Sequence, residues 1–236
     1  MQPTYLPWIG YFKMIDLVDK FIFLDNVQLN KRSFQTRNKI KCMDNELFIS
    51  VPIKKIKRED SLIKDVEIDG EKWVSKHLNS LLHSYSKSKY FLEVFDFISK
   101  ILKKKSSSLS NLNCTLIINI SRKLGISTEF EKASSTTVNN LNKEDKLIQI
   151  CKEFEFDNYL SPINSSTYIE NKTENKFKTS NINLYYYEYF PRKYNQLGKK
   201  NILYLSIIDL LFNYGFENSL DVINNADFKI DIYERF

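Results

Sequence analysis

Residues 143–160, KEDKLIQICKEFEFDNYL, decide the fold class. Leu147, Ile148, Cys151 and Phe154 recur at the spacing of a helix with one apolar face, and Tyr159-Leu160 then opens a short β-prone run. Ile126 to Phe130 reads as a strand before this helix. After it come a short Ser/Thr-started helix near Ser165 to Glu170 and a strongly β-prone run, Ile182 to Phe190. Strands separated by helices cannot be joined by tight turns, so they favour parallel neighbours with helical crossovers. The expectation is an α/β fold with a mainly parallel sheet.

Upstream, Lys20 to Leu24 (KFIFL) and Leu47 to Val51 (LFISV) read as strands, and Val66 to Ile68 as a third, closed by the Asp69-Gly70 turn. From Glu71 the period changes. Trp73, His77, Leu81 and Tyr85, then Phe91, Val94, Ile98 and Leu102, then Leu109, Leu112, Leu116 and Ile120 follow helical spacing, with Gly125 as the stop. At the far end Leu203 to Tyr214 and Glu217 to Ile223 read as closing helices around Gly215. Lys103 to Ser110 and Ser134 to Asn142 are low-complexity stretches suited to surface loops. With no internal repeat, the economical reading is a single domain over 1–236, with 71–125 as a helical insert and central helical segment.

The 236 residues are 42% hydrophobic and 14% aromatic, which supplies a core able to offset the entropy of ordering and excludes fibrous and disordered classes. Lysine and arginine exceed acidic residues by 35 − 29 = 6. That excess suits a small anionic partner. The abundance of Asn, Lys and Ile has the look of drift in an AT-rich genome, and no stretch interleaves basic and aromatic residues into a nucleic-acid module, so nucleic acid is not an expected partner. Cys42, Cys114 and Cys151 are odd in number and far apart, which supports neither a disulfide framework nor a metal site. No apolar run reaches the ~18 residues of a membrane span, and the start lacks a signal peptide, leaving the cytoplasm as the default location.

The densest chemistry lies in QPTYLPWIGYF, residues 2–12. Pro3 and Pro7 stiffen the backbone and Gly10 permits close approach, so Gln2, Tyr5, Trp8 and Tyr11 either wall a sugar or nucleobase or pack beneath the sheet. Asp16 and Asp19 follow. Asp25 closes the KFIFL strand, where α/β sheets place ligands, and Gln28, Lys31, Arg32, Arg37, Asn38 and Lys41 come after it; their cations can hold phosphate or form a solvated face. A second polar set comprises Ser161, Tyr168, Tyr194, Asn195, Gln196, Ser206, Asp209 and Asn213. Asp209 sits in the apolar run LSIIDLLF, so it needs a partner such as Arg37 or serves a site. Nucleophile elbows, phosphate loops, dinucleotide fingerprints and zinc-protease motifs are all missing. His77 and His83 are the only imidazoles, with His77 on a packing face. If the chain is an enzyme, its general base is then Asp25, Asp19 or Asp209; the sequence leaves the cofactor unknown and offers no metal-ligand set.

QPTYLPWIGYF, the Asp19-x-F-x-F-L-Asp25-N-V-Gln28 pattern, RNKIK, and SVP at 50–52 resemble the opening of the WbqC-like family. The likeness continues through WVSKHL from Trp73, Leu124-Gly-Ile, Tyr159-Leu-Ser161, Tyr168, Tyr194-Asn-Gln196 and LSIIDLLFN ahead of Gly215. The resemblance implies work on a nucleotide-linked sugar in bacterial surface-polysaccharide or glycan assembly: acyl or aminoacyl transfer to an amino sugar, or a non-catalytic binding subunit. In that implied scheme Asp25 or Asp209 is the base, and Gln2, Tyr5, Trp8, Tyr11, Gln28, Arg37, Asn38, Lys41, Ser161, Tyr194 and Gln196 bind substrate. Family members carry apolar residues ahead of the Gln-Pro that read as a first strand. The expectation here is either a start upstream of Met1 or a sheet without that strand. In its complete form the opening looks distantly like nucleotidyltransferase-type folds, whose phosphate-binding histidines are not present.

Overall fold

The structure, a computed structural model, describes residues 1–30, 33–55, 61–138, 141, 143–166 and 176–232. The KFIFL run forms β1 (Lys20–Phe23), with Phe21 and Phe23 alternating into the core. β4 (Glu129–Lys132) lies parallel to it, Lys20 opposite Glu129 and Phe23 opposite Lys132. This strand starts later than the Ile126–Phe130 expectation, because Ile126 bonds back to Ser121 and Thr128 donates its hydroxyl to Ile15. β5 (Asn158–Pro162) and β6 (Asn183–Phe190) are also parallel, and β7 (Asp227–Ile232) pairs antiparallel with β6.

The expected mainly parallel sheet is corrected on this point. Among the described residues there are three small sheets: β1–β4, β5–β6–β7, and an antiparallel hairpin of β2 (Arg37–Cys42) and β3 (Asn45–Ser50). The crossover argument holds for β1–β4 and β5–β6, which have helices between them. It does not reach RNKIKC and DFKIDI, whose charged residues hide strands that alternate rather than run apolar. Val66 to Ile68 forms only single bridges, Glu67 to Ser108 and Ile68 to Ile53.

Among the described residues seven helices accompany the strands: α1 (Ile9–Asp16), α2 (Lys72–Tyr85), α3 (Phe91–Leu102), α4 (Leu109–Lys123), α5 (Lys143–Glu153), α6 (Lys176–Thr179) and α7 (Ile207–Asn224). Ser108 caps α4 by accepting from the Asn111 amide at 3.3 Å, so the loop expected over Lys103 to Ser110 ends two residues early. α7 is bent at Gly215, where φ is 72° and an added Cβ would lie 2.7 Å from the Tyr90 ring; the two closing helices of the sequence meet there. Ile163 to Ser165 makes a single 3-10 turn, and residues 167–170 of the helix expected from Ser165 to Glu170 fall outside the described residues, as do 139, 140 and 142 of the Ser134–Asn142 loop. No helix among the described residues is long and apolar enough to cross a membrane.

One large core joins α1, β1, α2, α3, α4 and α7, with Tyr5, Phe12, Phe23, Tyr85 and Phe212 its largest enclosed side chains; each such burial contributes about 1.5–3 kcal/mol. A second, smaller core of Leu147, Ile148, Cys151, Phe177, Ile182, Leu184 and Tyr186 binds α5 and α6 to β6. Between β1 and β5 runs an apolar groove of about 380 Å³, floored by Met14, Leu17, Leu147 and Ile150. Met1 stands at its head. Its ammonium donates to the Ile22 carbonyl at 2.8 Å and its carbonyl accepts from Leu24 N at 2.8 Å, the bond pattern of a parallel strand neighbour on the free edge of β1.

Candidate functional site

The opening segment is held from every side. Leu6 adopts φ 43°, a left-handed conformation that costs a branched residue about 1–3 kcal/mol. Hydrogen bonds from several elements hold the segment around it. Asn38 Nδ2 donates to the carbonyls of Tyr5 at 3.1 Å and Leu6 at 2.7 Å. Ser206 Oγ donates to the Leu6 carbonyl at 2.7 Å, and Ile207 N to that of Pro7 at 2.8 Å. Asn113 Nδ2 reaches the Pro3 carbonyl at 3.1 Å. Gln2 is fixed through its carbonyl, which accepts from Tyr11 Oη at 2.9 Å, and through its amide oxygen, which accepts from Gln35 Nε2.

Where this rigid segment enters α1 and β5 ends at Pro162, a pocket of about 490 Å³ opens, at the carboxyl end of a parallel strand. Its walls are largely aromatic: Trp8, Tyr11, Phe34, Tyr187, Tyr189 and Tyr204. The Trp8 ring lies 5.6 Å edge-on from Tyr189 and 5.4 Å from Tyr204, and it covers Gly10 so closely that a Cβ there would fall 2.5 Å from the indole. Tyr204 is 56% exposed and Phe34 51%, so two aromatic faces stand open at the rim. The hydroxyls of Tyr187 and Tyr189 are committed to the Gly10 and Ile223 carbonyls, at 3.3 and 3.0 Å, and burial pushes both phenols up. The pocket presents ring surface with polar backbone and Thr4, Asn38, Asn164 and Glu188 at its margin. No His, Lys, Arg or Asp stands among its described lining residues.

Of the residues singled out from sequence, Trp8, Tyr11 and Asn38 line this pocket together. Tyr5 does not. It is enclosed in the core, its hydroxyl 3.0 Å from His77 Nδ1. The other imidazole nitrogen, Nε2, lies 3.1 Å from the Ser50 carbonyl, which can only accept, so Nε2 carries the hydrogen and Nδ1 accepts from Tyr5. Burial lowers the His77 pKa to about 4.

Asp25 is buried at the end of β1 and accepts from Ser134 N at 2.9 Å and Ser134 Oγ at 2.7 Å. Asp209 is also buried. Its partner is not Arg37: it accepts from Tyr85 Oη at 3.0 Å and Tyr194 Oη at 2.8 Å, while Arg37 lies over the Phe48 ring at 4.6 Å. Burial raises the Asp209 pKa, and its two tyrosine bonds oppose that shift. Lys41 is 2% exposed, donates to the Lys200 carbonyl and does not line the pocket. Gln28 is exposed on a loop bridged to Leu62, Ser161 bonds Ser165 at 2.6 Å, and Gln196 pins Ile202 through both amide atoms. Asn213 donates to the Asp209 carbonyl, Asn195 N donates to the Tyr214 hydroxyl, and Asp19 lines the apolar groove. Lys31, Arg32 and Tyr168 lie outside the described residues.

Phe34, Tyr187, Tyr189 and Tyr204 were not singled out beforehand. Alternation in YYYEY places Tyr187 and Tyr189 on one face, a signal available from sequence; Phe34 and Tyr204 sit in loops without periodicity. Among the described residues no group of three His, Cys, Asp or Glu side chains stands where it could hold a metal ion.

Residues 2–220 match the model of the WbqC-like protein family. Over 219 residues, 92% of this chain and 93% of the relative, the sequence is 33% identical to the uncharacterized protein Rv1507c of Mycobacterium tuberculosis. No solved structure matches.

Proposed function

Because the chain belongs to the WbqC-like protein family, we propose that it handles a nucleotide-activated amino sugar in cytoplasmic assembly of a bacterial surface polysaccharide or related glycan. The observation that carries this reading is the aromatic pocket beside the fixed Gln2–Trp8 segment: ring faces at the carboxyl end of β5 suit a sugar or base lying flat on Trp8. The reaction it serves is acyl or aminoacyl transfer. The sugar amine attacks the acyl carbon of an activated donor, and the donor's leaving group departs with the electron pair and takes up the proton that the amine gives up, leaving an amide. The chain is taken as one domain with 71–125 as a helical insert, which the shared core supports.

Calorimetry with nucleotide-linked amino sugars tests binding, and mass spectrometry with acyl and aminoacyl donors tests transfer. Binding that is lost in Trp8→Ala, together with an amide product, supports the proposal; absence of both across a broad panel with folded protein overturns it.

One observation favours a second reading, a non-catalytic binding subunit. Asp25 and Asp209 do not line the pocket, and each already accepts two hydrogen bonds. On that reading Asp25→Asn leaves pathway output intact while Trp8→Ala abolishes binding. Loss of product with binding retained in Asp25→Asn restores the enzymatic reading.

A further inference from the structure

β7 is hydrogen-bonded on one edge. β6 takes that edge in six residue pairs, from Tyr185–Ile232 to Phe190–Asp227, and among the described residues no other backbone group bonds the opposite edge. All six of its residues are exposed, and the run DFKIDI contains neither proline nor glycine. Natural edge strands are usually shortened, bulged or guarded by outward charge, because an open ladder of N–H and C=O groups recruits another strand. The one lysine here is already paired with Asp231 at 2.6 Å.

The side chains divide cleanly between the two faces. Phe228, Ile230 and Ile232 lie opposite Tyr189, Tyr187 and Tyr185 and are 41, 42 and 47% exposed; Asp227, Lys229 and Asp231 occupy the other face. We infer that β7 is a self-pairing edge: two copies of this chain join their β7 strands antiparallel about a twofold axis through Ile230, continuing β5–β6–β7 into the same three strands of the second copy. In that register Ile230 opposes Ile230, Phe228 opposes Ile232, and Lys229 opposes Asp231, the last two pairings occurring twice by symmetry. Neighbouring registers are excluded by the same sequence. Centring on Lys229 sets lysine against lysine and Asp227 against Asp231, centring on Asp231 sets aspartate against aspartate, and a one-residue slip puts apolar side chains opposite charged ones.

The test is sedimentation velocity of the full chain and its variants, with circular dichroism confirming that each is folded. The wild type is expected to reach twice the 28.0 kDa chain mass as concentration rises. Lys229→Asp and Asp231→Lys each set like charges opposite one another twice, which weakens self-association by about ten-fold or more. Mixing these two variants in equal amounts restores both opposite-charge pairs, so a heterodimer forms where neither chain dimerises alone. A wild type that stays monomeric at every concentration overturns the inference. So does a dimer indifferent to either charge reversal, or a mixture that fails to associate.

Discussion

Asn38 holds Leu6 in its left-handed conformation: the amide nitrogen of the first donates to the carbonyl of the second at 2.7 Å, while also donating to the Tyr5 carbonyl at 3.1 Å. Two successive carbonyls of the segment that leads into the pocket thus share one buried donor.

Asn38→Ala leaves the Tyr5 carbonyl without that donor and Leu6 with Ser206 alone. The expected loss is about 2–3 kcal/mol of stability, a fall in Tm of roughly 5–10 °C for a chain of this size. Calorimetric unfolding checks this. Asn38→Asp should be worse than alanine, since its carboxylate faces two carbonyl oxygens.

His77 is neutral in the fold, its pKa lowered to about 4 by burial from an ordinary 6.5. In the unfolded chain it takes a proton near pH 6.5, so the unfolded state gains on the folded one as pH falls from about 6.5 to about 4. The contribution is complete above that window and declines through it, by roughly 3 kcal/mol in all. Urea melts of wild type and His77→Gln at pH 7 and pH 4.5 should show a smaller pH difference in the variant. Equal differences would remove His77 as the cause.

Asp209 runs the other way. Burial raises its pKa above 3.8, so as pH rises past 3.8 the unfolded chain releases this proton first and the fold loses relative stability. Asp209→Asn abolishes that dependence and keeps an oxygen for one of the two tyrosines. Asp209→Ala strands both phenols and should cost about 2–5 kcal/mol. Stability across pH 4–7 for the three proteins decides the matter.

Gly10→Ala places a methyl group against the Trp8 indole, which also packs on Tyr189 and Tyr204. Trp8 must swing outward. The expected signs are a red-shifted tryptophan emission and a loss of ligand binding comparable to Trp8→Ala, with the far-ultraviolet spectrum retained.

Much of the fold was open to reading because its signals are local. α5, β5 and β6 follow from periodicity, and the bend at Gly215 from the one residue that tolerates it. β2 and β7 escaped because lysine and aspartate on alternate positions disguise a strand as a solvated run. For the candidate site, the opening segment announced itself through proline, tryptophan and glycine. Its pocket-mates did not, since Tyr204 and Tyr189 reach Trp8 only through the tertiary fold. The Asp209 partners illustrate the same limit: burial in LSIIDLLF signals that a partner is needed, yet Tyr85 lies 124 positions away and nothing local prefers it to Arg37.

The groove between β1 and β5 also has a consequence for how the molecule breathes. No strand ladder crosses it among the described residues, and the β5–β6 side carries its own small core. β6 stays tied to the large core through Tyr187 and Tyr189, so it is α5 and β5 that have the makings of a separate cooperative unit, able to open and close while β1 and the α1–α4 assembly stay formed. Amide protons in β5 would then exchange through this partial opening, on a shorter clock than those of α4 and α7, which are released only when the whole chain unfolds.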